Sequence, residues 1–305
     1  MTSLYDPPMR DRIRIIANPI SGKGRGVRTA REVTELLRAR GCAAELVETR
    51  QAGDARRLAA EAGGFAAVVA VGGDGTVNEV LNGLPPGPAI GMIPSGTANV
   101  LAKELRLPRG ARGLARVLAD GREIRWDLAV DRVSGRKVLL FASAGYDAHV
   151  VHVFHAARKG AIQMWQYVYW GLKGILDFEA PRITVELDGR TLATDASWVQ
   201  VSNVAAYGGP LVFTPGARPD DGRFEVMVLR GGGRRDVVRM FWRGIVGWLL
   251  GTDLRLGGLS FHGARRVRLS SSDGRPVALQ VDGDPGGHLP VDLELVPGGA
   301  RVLAP

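Results

Sequence analysis

Cysteine is almost absent from this sequence, which contains a single one, Cys42, among 305 residues. One cysteine cannot form an intrachain disulfide, and cysteine and histidine nowhere occur together at the spacing of a zinc site. No histidine or asparagine stands in a motif that would activate Cys42 as a nucleophile, so we interpret it as a small core residue. This composition is typical of a protein in a reducing cytoplasm.

Long hydrophobic runs are absent as well. The longest, AAVVAV at 66–71 and VGWLLG at 246–251, have the length of core segments and are too short to cross a membrane. The opening residues MTSLYDPPMRDRIRI contain no apolar segment of the kind that forms a secretory signal. We therefore expect a cytoplasmic protein.

Compact blocks of basic residues are also missing, although the net charge is +9. Lysine and arginine are spread along the chain, without the dense run that indicates a nucleic-acid-binding arm. We expect no nucleic-acid partner. The positive charge instead favours phosphate-bearing ligands or an acidic membrane surface.

The first 122 residues alternate between strand-like and helix-like patterns. This alternation predicts βαβ units and a doubly wound α/β domain, in which helices cover both faces of a parallel sheet. The predicted strands are 12–18, 43–49, 66–71 and 89–94, and the predicted helices are 27–41, 54–64, 76–83 and 97–105.

Beyond residue 122 the pattern changes to short alternating strands separated by glycine, proline and aspartate, which predicts an antiparallel β-sandwich. The predicted strands are 138–145, 182–187, 196–203, 223–229, 265–270, 277–283 and 291–296, with helical insertions at 151–178 and 235–250. We predict two domains, 1–122 and 123–305, and expect the last strand to return to the first domain.

Three glycine-rich loops follow successive predicted strands: ANPISGKGRG at 17–26, VGGDGTVNEV at 71–80 and MIPSGTANVLAKEL at 92–105. Ligands bind outside the carboxyl ends of such strands, and glycine lets backbone amides approach phosphate oxygens. The first loop matches neither the P-loop nor the dinucleotide-binding pattern. Together the loops suit a polyphosphate, beside which Asp74 would either hold Mg²⁺ or accept a proton from an attacking hydroxyl.

The three motifs, in this order and spacing, resemble the diacylglycerol kinase catalytic family, which includes bacterial lipid kinases, diacylglycerol kinases and sphingosine kinases. The resemblance covers nearly the whole chain, including RPDDGRFEV and ALQVDGD in the second half. It is closest to the bacterial soluble lipid kinases, and it implies that ATP and Mg²⁺ bind in a cleft between the two predicted domains.

The resemblance also implies site residues by matching motifs. For the metal, it implies the carboxylate of Asp221 with the carbonyl oxygens of Arg218 and Arg223, a set that suits Mg²⁺; from the residues alone, Asp220–Asp221–Gly222 equally predicts a plain turn. The implied nucleotide-binding residues are Asn18, Pro19, Ile20, Ser21, Gly22, Thr49, Gly73, Asp74, Gly75, Thr76, Val77, Asn78, Glu79 and Thr97.

A pair of carboxylates in LQVDGDP, Asp282 and Asp284, has two interpretations. Asp-Gly is a common hairpin turn, whereas the resembled family has Asp-Gly-Glu here, with acidic residues proposed to activate the acceptor alcohol. Asp284 replaces that glutamate and is shorter by about 1.5 Å. Asp284, Asp282 and Asp74 therefore all remain candidates for the base.

Three histidines, His149, His152 and His155, are spaced three residues apart. No carboxylate companion is evident in the sequence, so we interpret them as helix-surface residues. The apolar stripe of 162–176 is interpreted as core and acyl-chain lining together with 240–250, or as an interfacial membrane contact.

The sequence therefore predicts an ATP-dependent lipid kinase that phosphorylates a diacylglycerol-like alcohol to phosphatidic acid, with transient contact at the inner membrane face. A homodimer is compatible with the sequence. One alternative is an NAD kinase-like enzyme with a soluble substrate, since such enzymes carry similar GGDGT loops. The other is a non-catalytic nucleotide- or lipid-binding protein, for which the replacement at Asp284 is the support.

Overall fold

A computed structural model describes residues 10–157, 173–174, 178–208, 211–239 and 259–305. The chain divides into two compact units: unit 1 runs to Trp126 and includes Gly299–Pro305, and unit 2 is Asp127–Gly298. The boundary expected from the sequence lies after residue 122. Strand β5 (Arg122–Asp131) leads out of unit 1, and the last strand, β17 (Val291–Ala304), ends in it.

Unit 1 contains a parallel sheet in the order β2-β1-β3-β4, which the end of β17 extends next to β4. Every residue of β3 is buried, as expected for a strand covered on both faces. The strands are β1 Arg12–Ala17, β2 Ala43–Glu48, β3 Ala67–Gly72 and β4 Ala89–Pro94.

Helices cover both faces of this sheet. Helices α1 and α5 share a core with Val69 and Val71 of β3, while Val68 and Ala70 face the opposite side, where α2 and α3 pack. The doubly wound architecture is confirmed, although α5 was not predicted. The helices are α1 Arg25–Ala39, α2 Asp54–Ala60, α3 Asp74–Gly83, α4 Val100–Glu104 and α5 Ala111–Asp120, and a 3₁₀ turn, Ser21–Gly24, precedes α1.

Unit 2 is built from antiparallel strands, as the alternating patterns predict, in the order β16-β15-β7-β9-β8-β14-β17, with β12 and β13 continuing from β9. Their inward apolar side chains form one continuous core. The strands are β6 Lys137–Val138, β7 Phe141–Ala144, β8 Ile183–Leu187, β9 Arg190–Ser202, β10 Ala206–Gly208, β11 Leu211–Val212, β12 Phe224–Arg230, β13 Leu259–Ala264, β14 Arg266–Ser271, β15 Ala278–Val281 and β16 Asp284–His288.

Helix α6 (Tyr146–Ala157) follows β7 directly and packs on β15 and β16. The apolar stripe predicted at 162–176, apart from residues 173–174, and the run 240–250 lie outside the described residues. Among the residues that are described, no helix is both long and apolar enough to span a membrane.

Candidate active site

The three glycine-rich loops of unit 1 are joined to one another by hydrogen bonds at the carboxyl ends of β1, β3 and β4. The first and third loops meet where the hydroxyls of Ser21 and Ser95 lie 3.0 Å apart. The backbone N–H of Asn18 donates to the carbonyl of Val71, and that of Ser95 donates to Gly72. The predicted convergence of these loops is therefore present in the fold.

Two glycines are required because these backbones approach each other closely. Gly22 has a φ of +59°, and a Cβ there would lie 2.5 Å from the carbonyl oxygen of Ser95. A Cβ on Gly96 would lie 2.5 Å from the Cα of Gly73, far inside ordinary carbon–carbon contact. Any larger residue would push the loops apart.

Asp74 connects the second loop to the helix that follows the third. Its two carboxylate oxygens accept hydrogen bonds from the backbone N–H groups of Val100 and Leu101, at 3.0 and 3.1 Å. The carboxylate thus satisfies two amides at the start of α4, which otherwise lack an intrahelical acceptor. This contact gives Asp74 a structural role. The two roles considered from the sequence were metal binding and proton acceptance.

The amino terminus of α3 lies at the same place. Asp74 is its first residue and Gly73, in an extended conformation, precedes it. The first amides of a helix point outward and carry partial positive charge, so they favour an anion. Unit 1 therefore combines a helix start with closely apposed glycine loops, an arrangement suited to phosphate groups.

The remaining residues predicted to bind nucleotide lie along this edge of the unit 1 sheet, and their roles stay predictions. Thr49 follows β2, where its N–H donates to Ala17. Ile20 is exposed, and Asn78 is buried in α3. The others are Pro19 in the first loop, Gly75, Thr76, Val77 and Glu79 in the first turns of α3, and Thr97 between β4 and α4.

In unit 2, Asp282 and Gly283 form the two-residue turn between β15 and β16. Their φ angles are +51° and +87°, as a type I′ hairpin requires at both central positions. The hairpin interpretation of Asp-Gly is therefore correct, and Asp284 begins the returning strand.

Asp282 is an anchor for this turn. The residue is only 3% exposed, and its carboxylate accepts hydrogen bonds from the backbone N–H groups of Leu139, Leu140 and Phe141, at 2.9 to 3.0 Å. These bonds direct the oxygens toward the protein's own backbone, which disfavours a role in accepting a substrate proton.

Asp284 is accessible by comparison, with a side chain 37% exposed, and its Oδ1 lies 3.5 Å from Nε2 of His155 on α6. The sequence interpretation of the histidines as surface residues lacking a carboxylate companion was therefore wrong for His155. His152 contacts the same hairpin through Nε2, which lies 2.8 Å from the carbonyl oxygen of Leu279.

A buried polar cluster under the hairpin was missed by the sequence analysis. Asp147 accepts hydrogen bonds through Oδ2 from the hydroxyls of Ser143 and Tyr207 and from Nε2 of Gln280. Burial raises the pKa of Asp147, against the effect of these hydrogen bonds. Gln280 in turn accepts the N–H of Gly283 at 2.9 Å. Polar residues in otherwise apolar strands were the available signal.

Asp221 lies in the turn before β12, beside a cavity of about 220 Å³ that Glu225 and His262 also line. Glu225 Oε2 is buried without a hydrogen-bond partner among the described residues, and burial raises the pKa of this carboxyl. Oxygen donors beside a carboxylate oxygen that lacks a partner suit Mg²⁺. However, Asp221 bonds to the backbone N–H and guanidinium of Arg223, and the described residues contain no cluster of three or more metal-ligating side chains.

Two family models match the chain in succession. One, described as the diacylglycerol kinase catalytic domain, matches residues 12–130, and the other, described as the YegS C-terminal NAD kinase beta sandwich-like domain, matches residues 141–304. A curated Bacillus subtilis protein named diacylglycerol kinase is 27% identical over 285 residues, 92% of this chain and 91% of its own. A namesake from Staphylococcus carnosus is 27% identical over 292 residues, with coverage of 93% and 92%.

Solved structures are similar in fold. A diacylglycerol kinase from Bacillus anthracis has a TM-score of 0.72 at 20% identity, with 97% of both chains covered. An NAD kinase from Archaeoglobus fulgidus in complex with ATP has a TM-score of 0.50 at 12% identity, covering 95% of this chain and 92% of its own. The expected fold class, a doubly wound α/β unit with an antiparallel β-sandwich, is thereby confirmed.

Proposed function

The chain belongs to the diacylglycerol kinase family, and from that premise we propose that it transfers the γ-phosphoryl group of ATP to a lipid hydroxyl. The acceptor we propose is a diacylglycerol and the product phosphatidic acid. Membership supports a phosphotransferase of the lipid kinase type; the acceptor and the product are our proposal.

One observation carries the ATP half of this proposal: the loops after β1, β3 and β4 meet beside the amino terminus of α3. Catalysis of phosphoryl transfer depends mainly on positioning and on stabilising charge at the phosphoryl oxygens. Backbone amides and a helix amino terminus supply that stabilisation. The nucleotide-binding residues named from the sequence would line this region.

For the acceptor we assign the carboxylate role to Asp284, because Asp282 and Asp74 hold backbone amides. Asp284 would accept the hydroxyl proton while the alcohol oxygen bonds to the γ-phosphorus. The bond from that phosphorus to the bridging oxygen breaks, and ADP leaves. A carboxylate that orients a weak nucleophile in this way raises the rate substantially.

Magnesium is the metal we propose. Bound with ATP, it would neutralise charge that develops on the transferred group. A structural ion would be held by the carboxylate of Asp221 and the carbonyl oxygens of Arg218 and Arg223, with Oε2 of Glu225 nearby. Binding of such an ion requires Arg223 to release the Asp221 carboxylate, to which it bonds at 3.3 Å.

A lipid acceptor also requires access to a membrane. We propose peripheral, transient contact with the inner face, favoured by the net charge of +9 through attraction to anionic lipids. Homodimer formation and cytoplasmic location are further expectations from the sequence.

The experiment is an acceptor panel. Purified protein is incubated with Mg²⁺, γ-labelled ATP and mixed micelles containing diacylglycerol, a sphingoid base or phosphatidylglycerol, and separately with NAD. We expect label in the organic phase, strongest with diacylglycerol. Label only in NADP would establish the NAD kinase-like alternative, and ATP binding by calorimetry without any labelled product would establish the non-catalytic one.

A further inference from the structure

A tight turn between β7 and α6 places α6 against the β15–β16 hairpin. Gly145, at a φ of +121°, reverses the chain after β7, and a Cβ there would lie 2.6 Å from the carbonyl oxygen of Ser197. This turn brings the first turn of α6 over the sheet, so that Asp147 comes within hydrogen-bond distance of Ser143 and Gln280. The neighbouring strands hold Ser143 and Gln280 in register.

The amide of Gln280 has one favourable orientation in this cluster. Its Nε2 donates to Ser143 Oγ at 2.9 Å and approaches Asp147 Oδ2 at 3.4 Å, while its Oε1 accepts the N–H of Gly283 at 2.9 Å. A flipped amide would set its oxygen against the Asp147 carboxylate and its nitrogen against the Gly283 N–H. The acceptors at the nitrogen end of Gln280, Ser143 and Asp147, therefore keep its oxygen end facing the N–H of Gly283.

The hairpin turn is thus held at separate points on consecutive residues. Three backbone amides donate to the Asp282 carboxylate, and the Gln280 side chain accepts the N–H of Gly283. Asp284 is the next residue in the chain. Glycine at a positive φ has wide conformational freedom. Loss of the Gly283 bond would let the peptide that leads into Asp284 rotate and carry the Asp284 side chain with it.

From these contacts we propose that Asp147 is a positioning residue that acts through Gln280 and Gly283 to set the direction of the Asp284 carboxylate. The proposal deepens the function proposed above and rests on it for the role of Asp284. Asp147 itself is buried, and the proposal assigns it no contact with the acceptor or the nucleotide. Its part is to keep the nitrogen end of the Gln280 amide turned toward itself and Ser143.

The test compares three variants of the full chain. Asp147→Asn keeps the shape of the side chain but places a donor either against Gln280 Nε2 or against the N–H of Ala148. Tyr207→Phe is the matched control, because it also removes one donor to Asp147 Oδ2 but leaves Gln280 and Gly283 untouched. Gln280→Met deletes the amide at similar side-chain length. If Asp147→Asn does not fold, this variant tests whether the Gln280 amide holds Gly283.

Two readouts are combined. Hydrogen exchange of the Gly283 amide, followed by NMR on ¹⁵N-glycine-labelled protein, should accelerate about fivefold or more in Asp147→Asn, the factor expected for one lost hydrogen bond. In the same variant kcat for lipid phosphorylation should fall about tenfold or more, as expected when a reacting group is misplaced, while KM for ATP stays unchanged. Tyr207→Phe should match the wild type in both.

The proposal is overturned if Gly283 exchange in Asp147→Asn equals that of the wild type, or if Tyr207→Phe lowers kcat as much as Asp147→Asn does. A separate variant, Asp284→Asn, tests the proposed function underneath. If it retains wild-type kcat, the role assigned to Asp284 fails, and positioning of a catalytic carboxylate by Asp147 fails with it. Accelerated Gly283 exchange in Asp147→Asn would then establish the structural link alone.

Discussion

Replacement of Gly96 by alanine tests whether the close approach of two loops forms the nucleotide site. In the structure, a Cβ on Gly96 would lie 2.5 Å from the Cα of Gly73 and 2.9 Å from Oδ1 of Asn99. Carbon atoms in contact are normally about 3.5 to 4.0 Å apart, so the loops must separate by about 1 Å. The nearest obstacle is backbone, which cannot move aside as a flexible side chain could.

The expected magnitude follows from the costs of overpacking, about 1 to 3 kcal/mol. If the loops hold the phosphates of ATP together, most of that energy is subtracted from the free energy of ATP binding. The separated loops no longer present their amides at one distance from the phosphates. Each 1.4 kcal/mol corresponds to a tenfold change in Kd. We therefore expect Gly96→Ala to weaken binding of ATP with Mg²⁺ about tenfold or more.

The assay is isothermal calorimetry of ATP binding in the presence of Mg²⁺, with thermal unfolding recorded on the same samples. Gly63→Ala is the matched control in unit 1, since a Cβ there meets nothing within 4 Å. The control should bind ATP as the wild type does. If Gly96→Ala also binds ATP with wild-type affinity, the junction of Gly73 and Gly96 is no part of the nucleotide site.

Four further substitutions give separable outcomes. Asp74→Asn can accept only one of the two amides of α4, so urea unfolding without ATP should show a loss of about 1 to 2 kcal/mol; unchanged stability would contradict the capping role. Asp282→Asn should lower the free energy of unfolding by about 2 to 4 kcal/mol because buried amides lose their acceptor. Asp284→Asn should change that free energy by no more than about 0.5 kcal/mol and abolish turnover. Equal stability of the two variants would contradict this assignment. Burial raises the pKa of Asp147 above its ordinary value of 3.8, so the contribution of this group to the free energy of unfolding is full below that pH and is lost as pH rises through the folded-state pKa. In urea unfolding, the stability of Asp147→Asn relative to the wild type should therefore increase with pH. A decrease with pH would contradict this reasoning.

The meeting of the three glycine-rich loops could be predicted from the sequence because its determinants are local. A buried run that ends in glycines fixes where β3 stops, and parallel strands place their carboxyl ends at one edge. The loops containing Gly22, Gly73 and Gly96 therefore had to meet. Asp74 capping α4 could not be foreseen, because it depends on the direction in which the third loop leaves that edge.

The contacts around the β15–β16 hairpin were harder to predict because they depend on strand register. Nothing local in the sequence links Ser143 to Gln280, since 137 residues separate them. Only the pairing of β7 with β15 brings them together. The same holds for His155, which has no carboxylate three or four residues away in the sequence and meets Asp284 through the packing of α6 on the hairpin. Helix α5 was different, since Leu114, Val117 and Leu118 already have helical spacing.

The most direct test of the account is the fate of the γ-phosphoryl group. Purified protein is incubated with diacylglycerol in mixed micelles, Mg²⁺ and ATP labelled with ¹⁸O in the γ-phosphoryl group, and the lipid extract is analysed by mass spectrometry. The account predicts ¹⁸O-labelled phosphatidic acid from the wild type and none from Asp284→Asn. Absence of any labelled phospholipid from a wild-type protein that binds ATP would contradict it.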